Sequence, residues 1–362
     1  MRTIIHHTAL KKSGGATRVA LIIYEGLKEA GYKTQHSFEA SEEPGDQLIS
    51  PAQAAKNIPP NSIVHFHSSA NPTEFLAALP DQVKIVITMH DSQLITGGCT
   101  HPLDCTHFEK KCKCPCPRGF ADSENIRQES IDIITKRKAF LISPSKWLAN
   151  QTKIAEPKLS VKIIPNGIPW PENIGNKKQS REKIGLHPTS KVVLFIAHGG
   201  ESAAYKSGPV WKKYWAGIKK NVPEAIGFAI GGDKNLREGD FIAIPYVDRE
   251  TLSEFMTAAD VLAYPTLADN HPLVTLEAMS KGLAAVSFAV GGVPEQITDG
   301  INGLLVAPFN KNSFIEKTSS LLLKQRLARE LGEIAFQTGK KKFNSYIMLK
   351  SYKKRYHQLD LI

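Results

Sequence analysis

The sequence predicts an α/β protein of two doubly wound, Rossmann-like domains facing each other across an interdomain cleft. Three observations predict it. Short apolar, β-branched runs alternate with amphipathic stretches along 362 residues, the pattern of βαβ units whose helices cover both faces of a parallel sheet. The alternation is interrupted once, by a polar, Lys-rich stretch from Asn166 to Pro188, and then restarts. Glycines, histidines and acids follow the runs, at the strand ends where open parallel sheets bind ligands.

In the first half, Thr3–Ile5, Ile63–His67, Ile85–Met89, Ala139–Ile142 and Val161–Ile164 read as strands, with a helix over Ala16–Ala30. In the second half, Val192–Ala197, Ile226–Ile230, Ile242–Ile244, Val261–Tyr264 and Ala284–Phe288 continue the series. The expected domains are residues 1–165, with a Cys-rich loop at 96–118, and residues 166–340. A helix over 341–362 is expected to follow. From Lys340 to Ile362 there are seven Lys or Arg against one Asp, with Phe343, Ile347, Leu349, Tyr352 and Tyr356 interleaved at roughly helical spacing. A solvated charged face on a packing helix fits this pattern, and so does a helix touching an anionic membrane surface.

With 41% hydrophobic and 22% charged residues, the composition excludes disorder, collagen-like repeats and a disulfide miniprotein. The longest apolar runs fall well short of the roughly 18 residues that span a bilayer. The first fifteen residues lack the apolar core of a secretory signal, so the expected location is the cytoplasm. The net charge of +11, from 46 Lys and Arg against 35 Asp and Glu, favours an anionic partner: nucleic acid, an acidic membrane or a phosphorylated substrate.

Gly14 and Gly15 precede a helix, and their amides could approach a phosphate or sugar closely; a simple tight turn would look the same. The pattern is not G-x-G-x-x-G, so no dinucleotide cofactor is indicated. The segment Ala259–Glu295 is the most informative. Asp269 follows a strand and loop, Pro272 can open a helix, and Glu277 lies about a turn and a half inside it. The amides of Leu273 and Val274 would form a positive helix end suited to a diphosphate, with Glu277 accepting from ribose hydroxyls. A capped surface helix would have the same spacing.

All five cysteines fall in one window. Cys99, Cys105, Cys112 and either Cys114 or Cys116, with Cys116 preferred, could close a tetrahedral structural zinc site; free thiols, a disulfide or an iron–sulfur cluster are the alternatives. His65 and His67 share one face of a strand, as buried histidines satisfied by neighbours or as cleft lining. Trp211, Tyr214 and Trp215 recur at helical spacing, which favours core packing over a sugar platform.

The segment from Asp269 onward resembles the signature of the retaining glycosyltransferases of family 4, which have the GT-B fold. An acid is followed after seven residues by Glu277-Ala278-Met279, then Gly282, an apolar strand and Gly291-Gly292-x-Pro294-Glu295. The likeness extends more loosely to Gly14-Gly15, Met89-His90-Asp91, Ser143-Pro144-Ser145, Pro165-Asn166-Gly167, Lys206-Ser207-Gly208 and Ala258-Ala259-Asp260. Asp269-Asn270-x-Pro272 and Thr96-Gly97-Gly98-Cys99 are similar to a branch that builds bacterial exopolysaccharide and lipopolysaccharide.

The resemblance implies that residues 1–165 bind the acceptor, that residues 166–340 bind the donor and that the 341–362 helix crosses back to the first domain; it also implies roles for single residues. Lys206 would neutralise the leaving diphosphate, Glu277 would hold the ribose, and His90 would sit beside the anomeric carbon. Asp269 with the loop Asn270, His271, Pro272 and Leu273 would hold the sugar hydroxyls and phosphates, and Gly14, Gly15, Asn166 and His198 complete the expected donor contacts. Catalysis in the family is described as front-face attack without a dedicated protein base, cofactor or metal. The expected partners are a nucleoside-diphosphate sugar and a saccharide or lipid-linked acceptor at the inner membrane face. A sugar-nucleotide epimerase and a degenerate sugar-nucleotide binder are the alternatives. A zinc-containing nucleic-acid protein would leave Glu277 unexplained, so nucleic acid is not an expected partner. Two positions depart from the family: Asp269 stands where Glu is usual, and His198 stands where a diphosphate-binding Arg is usual.

Overall fold

The computed structural model describes residues 2–358 apart from 44, 46, 47 and 114. The chain divides into two compact units, Met1–Gly167 with Ser345–Ile362, and Ile168–Asn344. The last helix, Ser345–Gln358, thus belongs with the first unit in contacts although the second lies between them in sequence. It starts four residues later than 341, because Lys341 and Lys342 end the preceding helix, Gln325–Lys342.

In the first unit, β1 (Ile4–Leu10), β2 (Thr34–Ala40), β3 (Ile63–Phe66), β4 (Lys84–Thr88), β5 (Phe140–Ser143) and β6 (Val161–Ile163) form a parallel sheet ordered β2-β1-β3-β4-β5-β6. One face carries Ile5, Val64, Phe66, Ile85, Ile87 and Leu141 into an apolar core with Phe75, Leu76 and Leu148. The other face carries Thr88, His65 and His6, and meets the last helix. There Tyr356 Oη lies 2.6 Å from His65 Nδ1, and Tyr352 Oη lies 2.9 Å from Thr88 Oγ1. Gly26 lies under the same helix, where an added Cβ would displace the Leu349 side chain.

In the second unit the strands are β7 (Lys191–Ile196), β8 (Ala225–Gly232), β9 (Leu236–Glu238), β10 (Phe241–Pro245), β11 (Val261–Tyr264), β12 (Ala284–Phe288) and β13 (Leu304–Val306). They are ordered β13-β12-β11-β7-β8-β10-β9. All pairs are parallel except the β9–β10 hairpin, which departs from the expected all-parallel sheet. Trp211, Tyr214 and Trp215 pack into this unit's core beside Phe195 and Phe241, as their spacing predicts. Every residue of β11 and β12 is buried, which explains their near-continuous apolar runs.

Candidate active site

The second sheet reverses direction between β7 and β11, the switch point where open α/β sheets leave a crevice for ligands. Two glycine turns meet beside it. Gly199 donates its amide to Gly231 O at 2.8 Å, and a Cβ on Gly200 would come within 2.6 Å of Gly232 Cα. Gly200 in one turn and Gly231 in the other therefore exclude side chains. His198, just before them, is exposed, with its ring edge-on to Tyr246 at 5.7 Å.

A short turn, Ala204–Lys206, brings Lys206 across to the loop after β11. The two loops are tied together. Leu267 N donates to Tyr205 O at 2.7 Å, Ser207 Oγ donates to Pro265 O at 2.5 Å, and Trp211 Nε1 donates to Lys206 O at 2.9 Å. Lys206 Nζ contacts Asp269 Oδ2, and Tyr264 Oη donates to the same oxygen at 2.5 Å. Burial draws the Lys206 ammonium down to about 7, while the adjacent Asp269 carboxylate acts in the opposite sense. Burial also pushes the Tyr264 phenol well up. The Asp269 carbonyl accepts from Gly292 N at 3.0 Å, and a Cβ on Gly291 would overlap that carbonyl oxygen.

The helix Leu273–Ser280 starts directly after Pro272 and has no side-chain cap. Leu273, Val274 and Glu277 are partly exposed on it, and Asn270 is buried. The imidazole of His271, expected to contact the donor, is buried, 2.8 Å from Gln296 Nε2 and edge-on to Phe343. Burial lowers its pKa to about 3, so this ring is a neutral packing element.

Gly14 and Gly15 follow β1, in the first unit. Gly14 has φ 95°, which favours glycine, and neither position has an atom within 4 Å of an added Cβ. His90 follows β4, half-buried, with Nε2 3.1 Å from His67 Nδ1. Asp91 accepts from Gln93 N at 2.8 Å, and burial raises its carboxyl to about 6. Asn166 is buried after β6, where the next amide, of Gly167, donates to Met348 Sδ at 3.1 Å.

The four described cysteines lie between Thr96 and Arg118. Cys99 and Cys112 are buried, Cys105 and Cys116 are half-buried, and none of the four is in a disulfide. Cys114 lies outside the described residues. Four thiolates around one zinc stand about 3.8 Å apart, yet among the described residues no three cysteine sulfurs lie within 4.8 Å of one another. The packing explains this: Cys112 joins the apolar core and Cys99 is turned inward with it, and burial raises both thiols.

Among the described residues the group that does approach within 4.8 Å is His6, His65 and His67. Five of their six ring nitrogens are engaged: His65 with Thr88 and Tyr356, His67 with His6 and His90, and His6 through Nδ1 with His67, which leaves His6 Nε2 without a hydrogen-bond partner. His65 and His67 are therefore buried histidines satisfied by neighbours. Tyr264 and the His67–His90 contact lie outside the site residues expected from the sequence. Tyr264 closes β11 five residues before Asp269, and that spacing was the available signal.

These features define the class: the chain has the GT-B fold, with its polar residues gathered at the switch point of the second sheet. Residues 176–338 match the family described as glycosyl transferases group 1. The chain is 24% identical over 281 residues to D-inositol 3-phosphate glycosyltransferase of Xylanimonas cellulosilytica, covering 72% of this chain and 63% of that one. Curated relatives of this kind are matched over 34–63% of their own length. Sucrose-phosphate synthase from Thermosynechococcus elongatus superposes with a TM-score of 0.75 at 16% identity, over 99% of both chains. HepE from Anabaena, solved in complex with UDP-glucose, superposes with a TM-score of 0.72 at 14% identity, over 99% of this chain and 100% of that one. Among the described residues no helix is long and apolar enough to cross a membrane.

Proposed function

We propose that this protein transfers a sugar, with retention of configuration, from a nucleoside-diphosphate sugar to a saccharide or lipid-linked acceptor in the assembly of a bacterial surface polysaccharide. The observation that carries the reading is the Lys206–Asp269–Tyr264 cluster at the β7–β11 switch point, inside the segment that matches glycosyl transferases group 1. Its placement beside the start of the helix Leu273–Ser280 supports a diphosphate there.

In this reading the bond from the anomeric carbon to the diphosphate oxygen breaks, and negative charge develops on the leaving group. Lys206 and the amides of Leu273 and Val274 stabilise that charge, and stabilisation of this kind carries much of the rate. Asp269, released from Lys206 as the diphosphate takes its place, accepts from a sugar hydroxyl. Glu277 holds the ribose, and His90 lies beside the reacting carbon. A phosphate oxygen of the leaving group takes the acceptor proton on the same face, so no protein base is assigned. Asn270, Gly14, Gly15, Asn166 and His198 supply further donor contacts; His198, without the arginine fork, binds phosphate more weakly.

The reading places the protein in the cytoplasm, at the inner membrane face. The last helix supports this with Tyr346 and Ile347 exposed beside Lys350 and Lys354. A sugar-nucleotide binder without turnover is the second reading, favoured by the Lys206–Asp269 contact, which occupies the diphosphate partner. Incubation with UDP-, GDP-, ADP- and dTDP-sugars and candidate acceptors tests both readings. Acceptor-dependent release of nucleoside diphosphate with an α-linked product from an α-linked donor supports transfer. Binding without release supports the second reading.

A further inference from the structure

A chain of imidazoles runs through the first unit to His90. His6 on β1 has Nδ1 3.2 Å from His67 Nε2, and His67, just past β3, has Nδ1 3.1 Å from His90 Nε2. His6 and His67 are 0% and 3% exposed, and burial keeps these rings neutral near neutral pH. A neutral imidazole carries one N–H and one lone pair. Three in series therefore have two polarities.

In the first polarity, His90 Nε2–H donates to His67 Nδ1 and His67 Nε2–H donates to His6 Nδ1. His6 must then carry its proton on Nε2. In the second, His6 Nδ1–H donates to His67 Nε2 and His67 Nδ1–H donates to His90 Nε2. His6 Nε2 is then a bare lone pair. His6 Nε2 is buried and has no hydrogen-bond partner. An orphaned buried N–H is rarer than an under-used acceptor. The second polarity is therefore favoured.

We infer that His67 is a positioning residue: donating from Nδ1, and set by His6, it holds His90 as the Nδ1–H tautomer with its Nε2 lone pair occupied. The functional consequence rests on the proposed place of His90 beside the reacting carbon. With Nε2 taken and Nδ1 protonated, neutral His90 is no base, which agrees with front-face transfer in which the leaving phosphate takes the proton.

Long-range 1H–15N spectra of the histidine-labelled full chain test this directly, with His90→Gln assigning the signals. The expected result is His90 protonated on Nδ1 in the native chain and shifted toward Nε2–H in His67→Leu. His67→Asn, whose side-chain amide can stand in for the Nδ1–H donor, should restore the native signal. Native His90 protonated on Nε2, or a tautomer unchanged in His67→Leu, overturns the inference without reference to activity. In turnover, His67→Leu should lower kcat about tenfold with donor KM nearly unchanged, and His67→Asn should recover most of it. Equal kcat loss in the Leu and Asn variants, with both folded, also overturns it. Full activity in His90→Ala would instead remove the placement of His90 at the reacting carbon, leaving the tautomer result intact.

Discussion

Lys206 and Asp269 are joined through a single carboxylate oxygen, Oδ2, which also accepts from Tyr264 at 2.5 Å. The cation expected to meet a leaving diphosphate is thus held by the acid expected to meet the sugar. The pair stores Lys206 in position before the anion arrives, and donor binding must exchange one partner for another.

The exchange makes Asp269→Asn informative. The variant keeps the shape and removes the competing charge. Affinity for a nucleoside diphosphate alone should rise or hold, while turnover of the complete sugar donor should fall about tenfold or more, because the sugar hydroxyl loses its acceptor. Titration calorimetry with the diphosphate and steady-state rates with the donor check the two halves separately.

The position of Lys206 at about 7 predicts a pH dependence with a definite sign. The ammonium is charged below that value and neutral above it, so diphosphate affinity should fall as pH rises through and beyond 7, approaching about tenfold per pH unit. A bound anion raises the Lys206 pKa, so binding above pH 7 should take up a proton, visible as heats that vary with the ionisation enthalpy of the buffer. Lys206→Arg, which stays charged, should flatten the profile.

Gly291 has φ 56°, and a Cβ there would overlap the carbonyl oxygen of Asp269. Gly291→Ala should cost about 1–3 kcal/mol of stability and also displace the loop bearing Asp269. Denaturant unfolding measures the first effect. Donor KM, raised more than the stability change alone explains, measures the second.

The last helix is tied to the first sheet through phenols. Tyr356→Phe removes the 2.6 Å contact to His65 and should destabilise the chain by about 1–2 kcal/mol, with a smaller loss for Tyr352→Phe at the 2.9 Å contact to Thr88. Urea denaturation followed by far-UV circular dichroism distinguishes the two variants.

Most of the sheet architecture was legible because buried parallel strands carry apolar runs: β3, β4, β7, β11 and β12 announce themselves this way. β2, TQHSFEA, did not, since it lies at the sheet edge and carries Gln, His, Ser and Glu. β13 and the hairpin strand β9 are three-residue edges with too few residues to show a period. At the site, glycine spacing and the Asp269–Glu277 interval pointed to the switch-point loop. The Lys206–Asp269 contact spans 63 residues and depends on how two loops are tied, which no local pattern records. Closeness in sequence likewise does not fix where the cysteine sulfurs point: of the four described ones, two are buried and two half-buried.

The central claim is that Lys206 binds the diphosphate of a sugar nucleotide. Calorimetric titration of UDP, GDP, ADP and dTDP into the native chain and Lys206→Ala at pH 6.5 tests it most directly. The account predicts that at least one diphosphate binds the native chain and binds Lys206→Ala about tenfold or more weakly, a loss of about 1.4 kcal/mol or more. Equal affinity in the two proteins, or no binding of any of the four to the native chain, would contradict it.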